Sequence, residues 1–329
     1  MTYKEAKKAF EDLFEHRLDD AQMKAFLLSI SLDDKTPVSI IAAAAEVMRS
    51  HAIALPIPDT LRPKLLDVVG TGGDKIGSFN ISSTVALVCA SLGAYVAKHG
   101  SRSITSKSGS ADMFESLGVR LDFTLEQSAT LLQETGFTFM FAQNHHPAMK
   151  FIMPIRKSIP DKTIFNILGP LTNPAGVTKT MLGVFDAAFV PKIAQALAIN
   201  HATSAMVVSS KEHMDEISIS DITYAAQLDI NGLIKEFEID PLDYGIKRAP
   251  LEAIMGGNAT QNADILMNIF NKRATDAQRA VVLINAAASM IVEGSARDFQ
   301  DGLEMAREAI NSGKAKAKLA QIISVSAKL

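Results

Sequence analysis

One stretch, residues 65–90, constrains the fold more than any other part of the chain. Leu65 to Val69 form an apolar run typical of a short buried strand, and residues 70–74 then read Gly-Thr-Gly-Gly-Asp. Ser82 to Thr84 open an apolar helix that continues to Ala90. A strand, a glycine loop and a helix in this order favour an α/β fold. The free N–H groups of such a loop and helix start can bind phosphate.

The glycine loop alone does not identify a ligand. It lacks the Gly-Lys-Ser/Thr ending of a Walker loop and the glycine spacing of a dinucleotide-binding fingerprint. Glycines between a strand and a helix most often form only a turn. The loop alone therefore does not establish phosphate binding, which depends on other parts of the chain.

A second strand, loop and helix follow directly, and this second loop carries cationic side chains. The strand is predicted at residues 94–98 and the loop at 99–112. We predict that both loops bind one phosphorylated ligand, because Lys98, Arg102 and Lys107 would repel one another unless an anion lay among them. Further donors are the hydroxyl groups of Ser82, Ser83, Ser106 and Ser110. The alternative is two ordinary polar loops.

Predicted strands and helices keep alternating after the second loop. Strands are predicted at 137–141, 180–185 and 204–208, helices at 125–134, 147–155 and 190–199, a hairpin at 223–239, and helices at 259–272, 276–293, 297–311 and 314–328. This order predicts a mostly parallel central sheet with helices on both faces. Ligands of such sheets bind at the carboxyl ends of the strands.

The N-terminal part of the chain has a different pattern, since residues 3–54 show only the helical spacing of apolar side chains. Three short helices cannot bury all their apolar faces alone, so they pack on the rest of the chain or on a second copy, which favours a homodimer. Three prolines mark residues 55–64 as a linker. We predict a small all-helical domain over residues 1–62 and a large α/β domain over residues 65–329.

Composition excludes several other classes of protein. An apolar content of 47% in 329 residues is ample for a large core. The net charge of −3 argues against a bulk nucleic-acid binder. The charged N-terminus does not resemble a signal peptide, no window is long enough for a membrane span, and the single cysteine, Cys89, favours a reducing compartment. We expect a cytoplasmic protein with no membrane contact.

Two adjacent acids, Asp215 and Glu216, follow a predicted strand and are the candidate metal ligands. Mg²⁺ takes one or two protein carboxylates and completes its octahedron with water and phosphate oxygens, so this pair suits it. The alternative is a solvated acidic turn, which the neighbouring phosphate loops disfavour.

Histidines and one arginine complete the candidate site. His99 lies in the second loop, and Arg156 could reach a substrate carboxylate, the alternative being a surface arginine. His145 and His146 have no third ligand at metal spacing and are predicted to cap a helix or line a pocket. No catalytic triad, thiol nucleophile or glycosidase carboxylate pair is found, so we expect catalysis by positioning and charge alone.

Taken together, these stretches resemble anthranilate phosphoribosyltransferase over nearly the whole chain. The matching segments are residues 70–74, 80–83, 98–100, 102, 108–112, 146–150, 156, 163–174 and 215–216. The resemblance implies a nucleoside-phosphorylase-like and phosphoribosyltransferase-like fold, in which a segment near residues 150–175 completes the helical domain of a homodimer. It also implies transfer of a phosphoribosyl group from phosphoribosyl pyrophosphate to the amine of anthranilate, a step of tryptophan biosynthesis that requires Mg²⁺.

The resemblance also implies roles for single residues. Asp215, Glu216 and Ser82 would bind Mg²⁺, and Arg156 with Gly70 would face anthranilate. The residues implied or predicted to contact substrate are Gly70, Gly73, Asp74, Ser78, Asn80, Ser82, Ser83, Lys98, His99, Gly100, Ser101, Arg102, Ser106, Ser110 and Arg156.

Three places depart from the family pattern. Ser101 stands where asparagine is usual, Lys162 where arginine is usual, and His213-Met214 where Gly-Leu is usual. Because Ser101 is expected to touch anthranilate, a changed acceptor is an alternative. Two further alternatives are a pyrimidine nucleoside phosphorylase and a relative that binds nucleic acid without catalysis. The acidic pair and the Gly-Thr-Gly-Gly-Asp loop fit a phosphorylase less well. The overall acidity and the same acidic pair count against nucleic-acid binding.

Overall fold

The computed structural model of the protein describes residues 1–102 and 107–329, and in these ranges it confirms the predicted α/β architecture. Seven strands of the described chain form one sheet in the order β3-β2-β1-β4-β5-β6-β7. The strands are β1 (Leu65–Gly70), β2 (Tyr95–Gly100), β3 (Phe137–Phe141), β4 (Lys179–Gly183), β5 (Ser204–Ser210), β6 (Thr223–Leu228) and β7 (Ile234–Ile239). Strands β1 to β5 pair in parallel, and β6 and β7 are antiparallel.

The helices lie at the N-terminus, between the strands and at the C-terminus. They are α1 (Tyr3–Phe14), α2 (Asp20–Ser29), α3 (Val38–Ser50), α4 (Ile81–Ser91), α5 (Ser110–Ser116), α6 (Leu125–Thr135), α7 (Ala142–His145), α8 (Met149–Lys157), α9 (Phe165–Leu168), α10 (Val190–Ile199), α11 (Ala259–Phe270), α12 (Asp276–Glu293), α13 (Phe299–Asn311) and α14 (Lys314–Ser326). In the part of the chain described, no helix combines the length and the apolar character needed to cross a bilayer.

Polar side chains fix where several helices begin. Asp19 caps α2, because its side chain accepts a hydrogen bond from the N–H of Gln22. The side-chain oxygen of Gln22 in turn accepts one from the N–H of Asp19. The same reciprocal arrangement starts α6 at Thr124 and α12 at Thr275. It satisfies N–H groups that would otherwise lack partners in the first turn.

The N-terminal helices share their core with one face of the sheet. Apolar side chains of α1 and α3 pack in one cluster with Ile152 of α8, Phe165 of α9, and Leu182 of β4. Hydrogen bonds join α3 and the turn before it to α10: Asn200, after α10, donates to the carbonyl of Ala42 at 3.1 Å, and Lys192 donates to that of Thr36 at 2.9 Å. The helices therefore lean on the α/β part of the chain as their sequence predicts.

Several element boundaries differ from the sequence predictions, most of them by one or two residues. Strand β2 runs to Gly100, so His99 lies in this strand and not in the second loop as predicted. The short helix α7 was not predicted, and the helix predicted at 147–155 begins two residues later, after Pro147. Strand β4 ends at Gly183 rather than at residue 185, because the chain then turns toward the glycine loop, where the N–H of Phe185 bonds the hydroxyl of Thr71 at 3.2 Å. These shifts reflect tertiary contacts that periodicity does not encode.

Candidate active site

The two glycine-containing loops lie at the same edge of the sheet. Strands β1 and β2 are parallel neighbours, so the loops that follow Gly70 and Gly100 both leave from carboxyl ends. Strand β4 flanks β1 on its other side, with Gly70 opposite Gly183. A ligand above β1 would thus meet residues from three adjacent strand ends.

The acidic pair after β5 reaches over to this edge. The Oδ2 atom of Asp215 accepts a hydrogen bond from the N–H of Gly72 at 2.7 Å, and Oε1 of Glu216 accepts one from the N–H of Ser82 at 3.1 Å. Asp215 thereby contacts the glycine loop, and Glu216 contacts the first turn of α4. Both acids therefore lie at the predicted phosphate cradle.

Two glycines allow this close approach. A Cβ on Gly70 would lie 2.3 Å from Oδ2 of Asp215, and a Cβ on Gly183 would lie 1.6 Å from the carbonyl oxygen of the same aspartate. Such distances are far inside van der Waals contact, so both positions need a residue without a Cβ. Gly183 was not predicted as a site residue; its only sequence signal is a glycine at the end of an apolar strand.

Electrostatics at the acidic pair favour a bound cation. Burial, reinforced by the charge of Asp74, raises the pKa of Asp215 to about 7. Burial and the charge of Asp215 hold the pKa of Glu216 well above its ordinary value. Three carboxylates in a poorly solvated space disfavour one another's ionised form, and a divalent cation would relieve that repulsion.

The donor set fits Mg²⁺ rather than a site built entirely from protein ligands. Within residues 1–102 and 107–329, no three His, Cys, Asp or Glu side chains surround a common point as a complete metal cage. Mg²⁺ does not require one, because it usually keeps several waters and takes phosphate oxygens alongside one or two carboxylates. Asp215 and Glu216, with the Ser82 hydroxyl nearby, provide such a partial set.

Lys98 is a buried cation beneath the two loops. Its side chain is 2% exposed, and its Nζ atom donates to the carbonyl of Val68 at 2.6 Å and to Oγ of Ser82 at 3.3 Å. Burial lowers the pKa of Lys98, and the charges of Asp67 and Glu216 oppose that shift. The ammonium group therefore lies between an acid in the core and the acids of the site.

Asp67, in the middle of β1, is a residue that the sequence analysis missed. It is fully buried; its Oδ1 atom accepts from the N–H of His99 at 3.1 Å, and its Oδ2 atom accepts from Nδ2 of Asn173 at 2.7 Å. The Asn173 amide also donates to the carbonyl of Ala97 at 2.7 Å. Burial raises the pKa of Asp67 to about 6, opposed by Lys98 and these hydrogen bonds. The available signal was a charged residue inside an apolar strand.

The histidines form a neutral cluster next to the start of the second loop. The Nδ1 atom of His99 lies 3.1 Å from the carbonyl oxygen of Gly169, and the rings of His99 and His146 are 5.4 Å apart. Burial, together with neighbouring histidines, lowers the pKa of His99 to about 3 and that of His146 to about 4. His145 pairs through Nδ1 with the carbonyl of Ile53, which agrees with the predicted structural role.

This cluster predicts a pH-dependent stability. His146 has a pKa of about 4 when folded and an ordinary value of 6.5 when unfolded, so the unfolded chain binds the extra proton as pH falls below 6.5. The stability contributed by neutral His146 is complete above that pH and is lost progressively toward pH 4. Lowering the pH from 7.5 to 5.5 should reduce the free energy of unfolding of wild type. In His146→Gln we expect this reduction to be about 1 kcal/mol smaller.

Urea unfolding at the two pH values measures this difference. The matched control is His201→Gln, because His201 is exposed and lies away from the histidine cluster. The interpretation is wrong if the His146 variant shows the same pH dependence as wild type and as this control.

The first turn of α4 brings together several predicted residues. Asn80 is the N-cap residue, and its Oδ1 accepts from Nδ2 of Asn262 at 2.8 Å. The Oγ atom of Ser83 is buried and has no hydrogen-bond partner within residues 1–102 and 107–329. Ser78 forms an isolated antiparallel β-bridge with Met255. Gly73 lies in the loop before this turn with a positive φ of 75°. An unpartnered buried hydroxyl at a helix start is available for a ligand.

The second loop is only partly described. The Oγ atom of Ser110, at the start of α5, lies 3.4 Å from the carbonyl of Ser101, and Gly100 packs against both Ser110 and Phe139. Lys107 is exposed. Ser106, predicted to donate a hydroxyl, lies outside the described residues.

Arg102 already has acidic partners within the protein. Its guanidinium group pairs with Glu115 at 2.5 and 2.7 Å and with Asp112 at 3.2 Å. The prediction that Arg102 needs a bound anion to offset its charge is therefore wrong, because acids of α5 already do so. Binding a phosphate through Arg102 would require exchanging these partners.

Arg156 has no such acidic partner. It is partly buried near the end of α8, burial alone lowers its pKa, and none of the described carboxylates lies within ion-pair distance of it. Its guanidinium lies 3.9 Å from the sulfur of Met153. A desolvated arginine without a carboxylate is suited to bind one from a ligand.

Comparison with known proteins agrees with this architecture. The helical bundle domain of a glycosyl transferase family matches residues 1–52, and the a/b domain of the same family matches residues 62–316. The fold and these matches thus define a glycosyl transferase of the type that joins a helical bundle to an α/β domain.

Individual relatives indicate which glycosyl transferases this chain is similar to. The chain is 42% identical over 329 residues to anthranilate phosphoribosyltransferase from Xanthobacter autotrophicus, covering 100% of this chain and 94% of that one. The enzyme of that name from Thermus thermophilus superposes with a TM-score of 0.91 at 33% identity, covering 99% and 96% of the two chains. The one from Saccharomyces cerevisiae, in complex with PRPP and Mg, gives 0.89 at 26% identity, covering 100% and 94%. The chain belongs to the anthranilate phosphoribosyltransferase family.

Proposed function

We propose that this protein transfers the 5-phosphoribosyl group of phosphoribosyl pyrophosphate to the amine of anthranilate, releasing pyrophosphate, in a Mg²⁺-dependent step of tryptophan biosynthesis. The observation that carries the proposal is the joining of the acidic pair to the phosphate cradle, through the bonds of Asp215 to Gly72 and of Glu216 to Ser82. Membership of the family supports the same reaction.

The donor substrate would lie across the ends of β1 and β2. Loop N–H groups would bind its phosphates, and buried Lys98 would offset their charge from below. We propose that the donor contacts Gly70, Gly73, Asp74, Ser78, Asn80, Ser82, Ser83, Lys98, Gly100, Ser106 and Ser110. Arg102 would join them only by exchanging its acidic partners on α5. Asp215, Glu216 and Ser82 would hold Mg²⁺, which, when bound, supplies positive charge to the departing pyrophosphate.

The acceptor would lie between the second loop and α8. Arg156 would bind its carboxylate, with Gly70 and Ser101 close to the ring and His99 held in place by the carbonyl of Gly169. Because burial keeps His99 and His146 neutral, they would not place a competing positive charge beside Arg156. The aryl amine of anthranilate is uncharged near neutral pH, so the site has to align it rather than deprotonate it first.

In this mechanism the chain contributes positioning and charge. The bond from the anomeric carbon to pyrophosphate breaks as the bond to the amine nitrogen forms, and loop N–H groups stabilise the charge that develops on the leaving oxygen. The nitrogen, cationic once bonded, then releases one proton to the departing pyrophosphate or to water. No residue has to form a covalent intermediate, which agrees with the absence of a nucleophile signature in the sequence.

We also propose that residues 1–62, completed by a segment near 150–175, form a helical domain through which two chains associate, and that residues 65–329 form the donor-binding domain. Exposed apolar side chains on this helical part support an interface, with Leu28 55% and Phe151 49% exposed. Sedimentation of wild type against a Leu28→Glu, Phe151→Glu variant tests the dimer.

The free, buried thiol of Cys89 supports a cytoplasmic location.

The reaction is tested by incubating the protein with phosphoribosyl pyrophosphate, Mg²⁺ and anthranilate and following the loss of anthranilate fluorescence. We expect turnover that stops when Mg²⁺ is chelated. Turnover only with another aryl amine would indicate a changed acceptor, phosphorolysis of a pyrimidine nucleoside would indicate a phosphorylase, and nucleic-acid binding without turnover would contradict the enzymatic proposal.

A further inference from the structure

We propose that Lys162 binds a phosphate group of the donor substrate from the β4 side of the glycine loop, opposite the β2 side from which Lys98 approaches. The inference rests on the proposed function and adds a donor-binding residue to it. Lys162 lies between α8 and α9, in the segment that connects the helical part of the chain to the site.

The position of Lys162 follows from a chain of short contacts. Its Nζ atom lies 3.2 Å from the centre of the Phe185 ring. The N–H of Phe185 donates to the hydroxyl of Thr71 at 3.2 Å, and the N–H of Thr71 donates to the carbonyl of Gly183 at 2.9 Å. The ammonium group thus contacts the ring of the residue whose backbone N–H binds the second residue of the Gly-Thr-Gly-Gly-Asp loop.

Sheet order places this lysine and Lys98 on different sides of the loop. The loop leaves from β1, whose two neighbours are β2 and β4. Lys98 belongs to β2, whereas Phe185 follows the end of β4 by two residues. Phosphates seated on the loop would therefore meet a fixed cation on one side and Lys162 on the other.

The charge of Lys162 has no close acidic partner among the described residues. None of their carboxylates lies within 4 Å of its Nζ atom, which lies over the ring face of Phe185. Asp186 and Asp74 act on it from a distance, and Lys75 repels it. An aromatic face stabilises an ammonium less than a phosphate does, so a ligand phosphate can compete for this side chain.

The backbone around Lys162 is anchored while its side chain is exposed. Ile159 and Thr163 are buried on either side, and the N–H of Thr163 donates to Oδ1 of Asn166 at 2.9 Å. Pro160 further restricts the backbone between them. Only side-chain rotation is then needed to carry the ammonium group from the ring to the loop.

The test compares Lys162→Met and Lys162→Arg with Lys157→Met, a matched control that removes an exposed lysine five residues earlier. We expect Lys162→Met to raise the KM for phosphoribosyl pyrophosphate about tenfold, because one charge-assisted contact is lost, and to leave the KM for anthranilate within about twofold. Lys162→Arg should restore most of the donor affinity, and Lys157→Met should behave as wild type.

Calorimetric binding of phosphoribosyl pyrophosphate with Mg²⁺, without acceptor, separates this inference from the proposed reaction. A weaker donor affinity in Lys162→Met supports the assignment even if no turnover with anthranilate is found. An unchanged donor affinity, or an equal loss in Lys157→Met, overturns it while leaving the reaction proposed for the wild-type enzyme untouched.

Discussion

Replacing Asp215 by asparagine and Glu216 by glutamine in one variant is expected to lower Mg²⁺-dependent turnover by about two orders of magnitude or more and to leave the fold intact. The amides keep the shape of the two side chains and their ability to accept from Gly72 and Ser82. They remove the anionic charge that a divalent ion requires. Transferase activity over a range of Mg²⁺ concentrations is the measurement.

Thermal unfolding of the same variant gives an independent result. Because burial and mutual repulsion raise the pKa of both acids, their neutral replacements should leave the unfolding temperature unchanged or raise it without metal. The stabilisation that Mg²⁺ with phosphoribosyl pyrophosphate gives wild type should disappear. A control, Glu236→Gln with Glu238→Gln, makes the same charge change on exposed residues of β7. A rate within tenfold of wild type would remove the metal role.

Gly183→Ala is expected to have the second-largest effect. The added Cβ would lie 1.6 Å from the carbonyl oxygen and 2.3 Å from the carbonyl carbon of Asp215, and backbone cannot rotate away as a side chain can. The acidic segment must shift away from the glycine loop. We expect turnover to fall by about a hundredfold and stability by about 1–3 kcal/mol.

Steady-state kinetics and urea unfolding test this prediction together. The matched control is Gly169→Ala, because a Cβ there meets no protein atom within 4 Å and the residue has helical backbone angles. Wild-type turnover in Gly183→Ala, or an equal loss of stability in both variants, would contradict the need for a residue without a Cβ at position 183.

Local chemistry explains which parts of the structure the sequence could predict. The strand at 137–141 and the helix at 190–199 were predicted to the residue, because apolar periodicity, Gly136 and Pro191 mark their limits. Mostly parallel pairing also followed from the alternation of elements. Motif spacing was enough to place the two loops and the acidic pair at one edge.

The missed residues share one property, since each acts through a partner distant in sequence. Gly183 is needed because Asp215 passes against it, and Asp67 matters because it meets Asn173, 106 residues away. The approach of Glu115 to Arg102 depends on how α5 packs. The sequence therefore did not show that Arg102 already has an acidic partner, and an anion was predicted in its place. No local pattern contains these pairings.

The side chain of Asn173 has a consequence for how the protein can move. Its amide hydrogens both bond to Asp67 and Ala97 in the core, and its oxygen accepts from the N–H of Ala175, so every polar atom of the side chain is occupied. The chain around Asn173 must then travel with the sheet as a rigid piece. The Asn173 region thus gives the site a fixed base, and only the exposed side chain of Lys162, not the backbone that carries it, has to move to reach a ligand on the glycine loop.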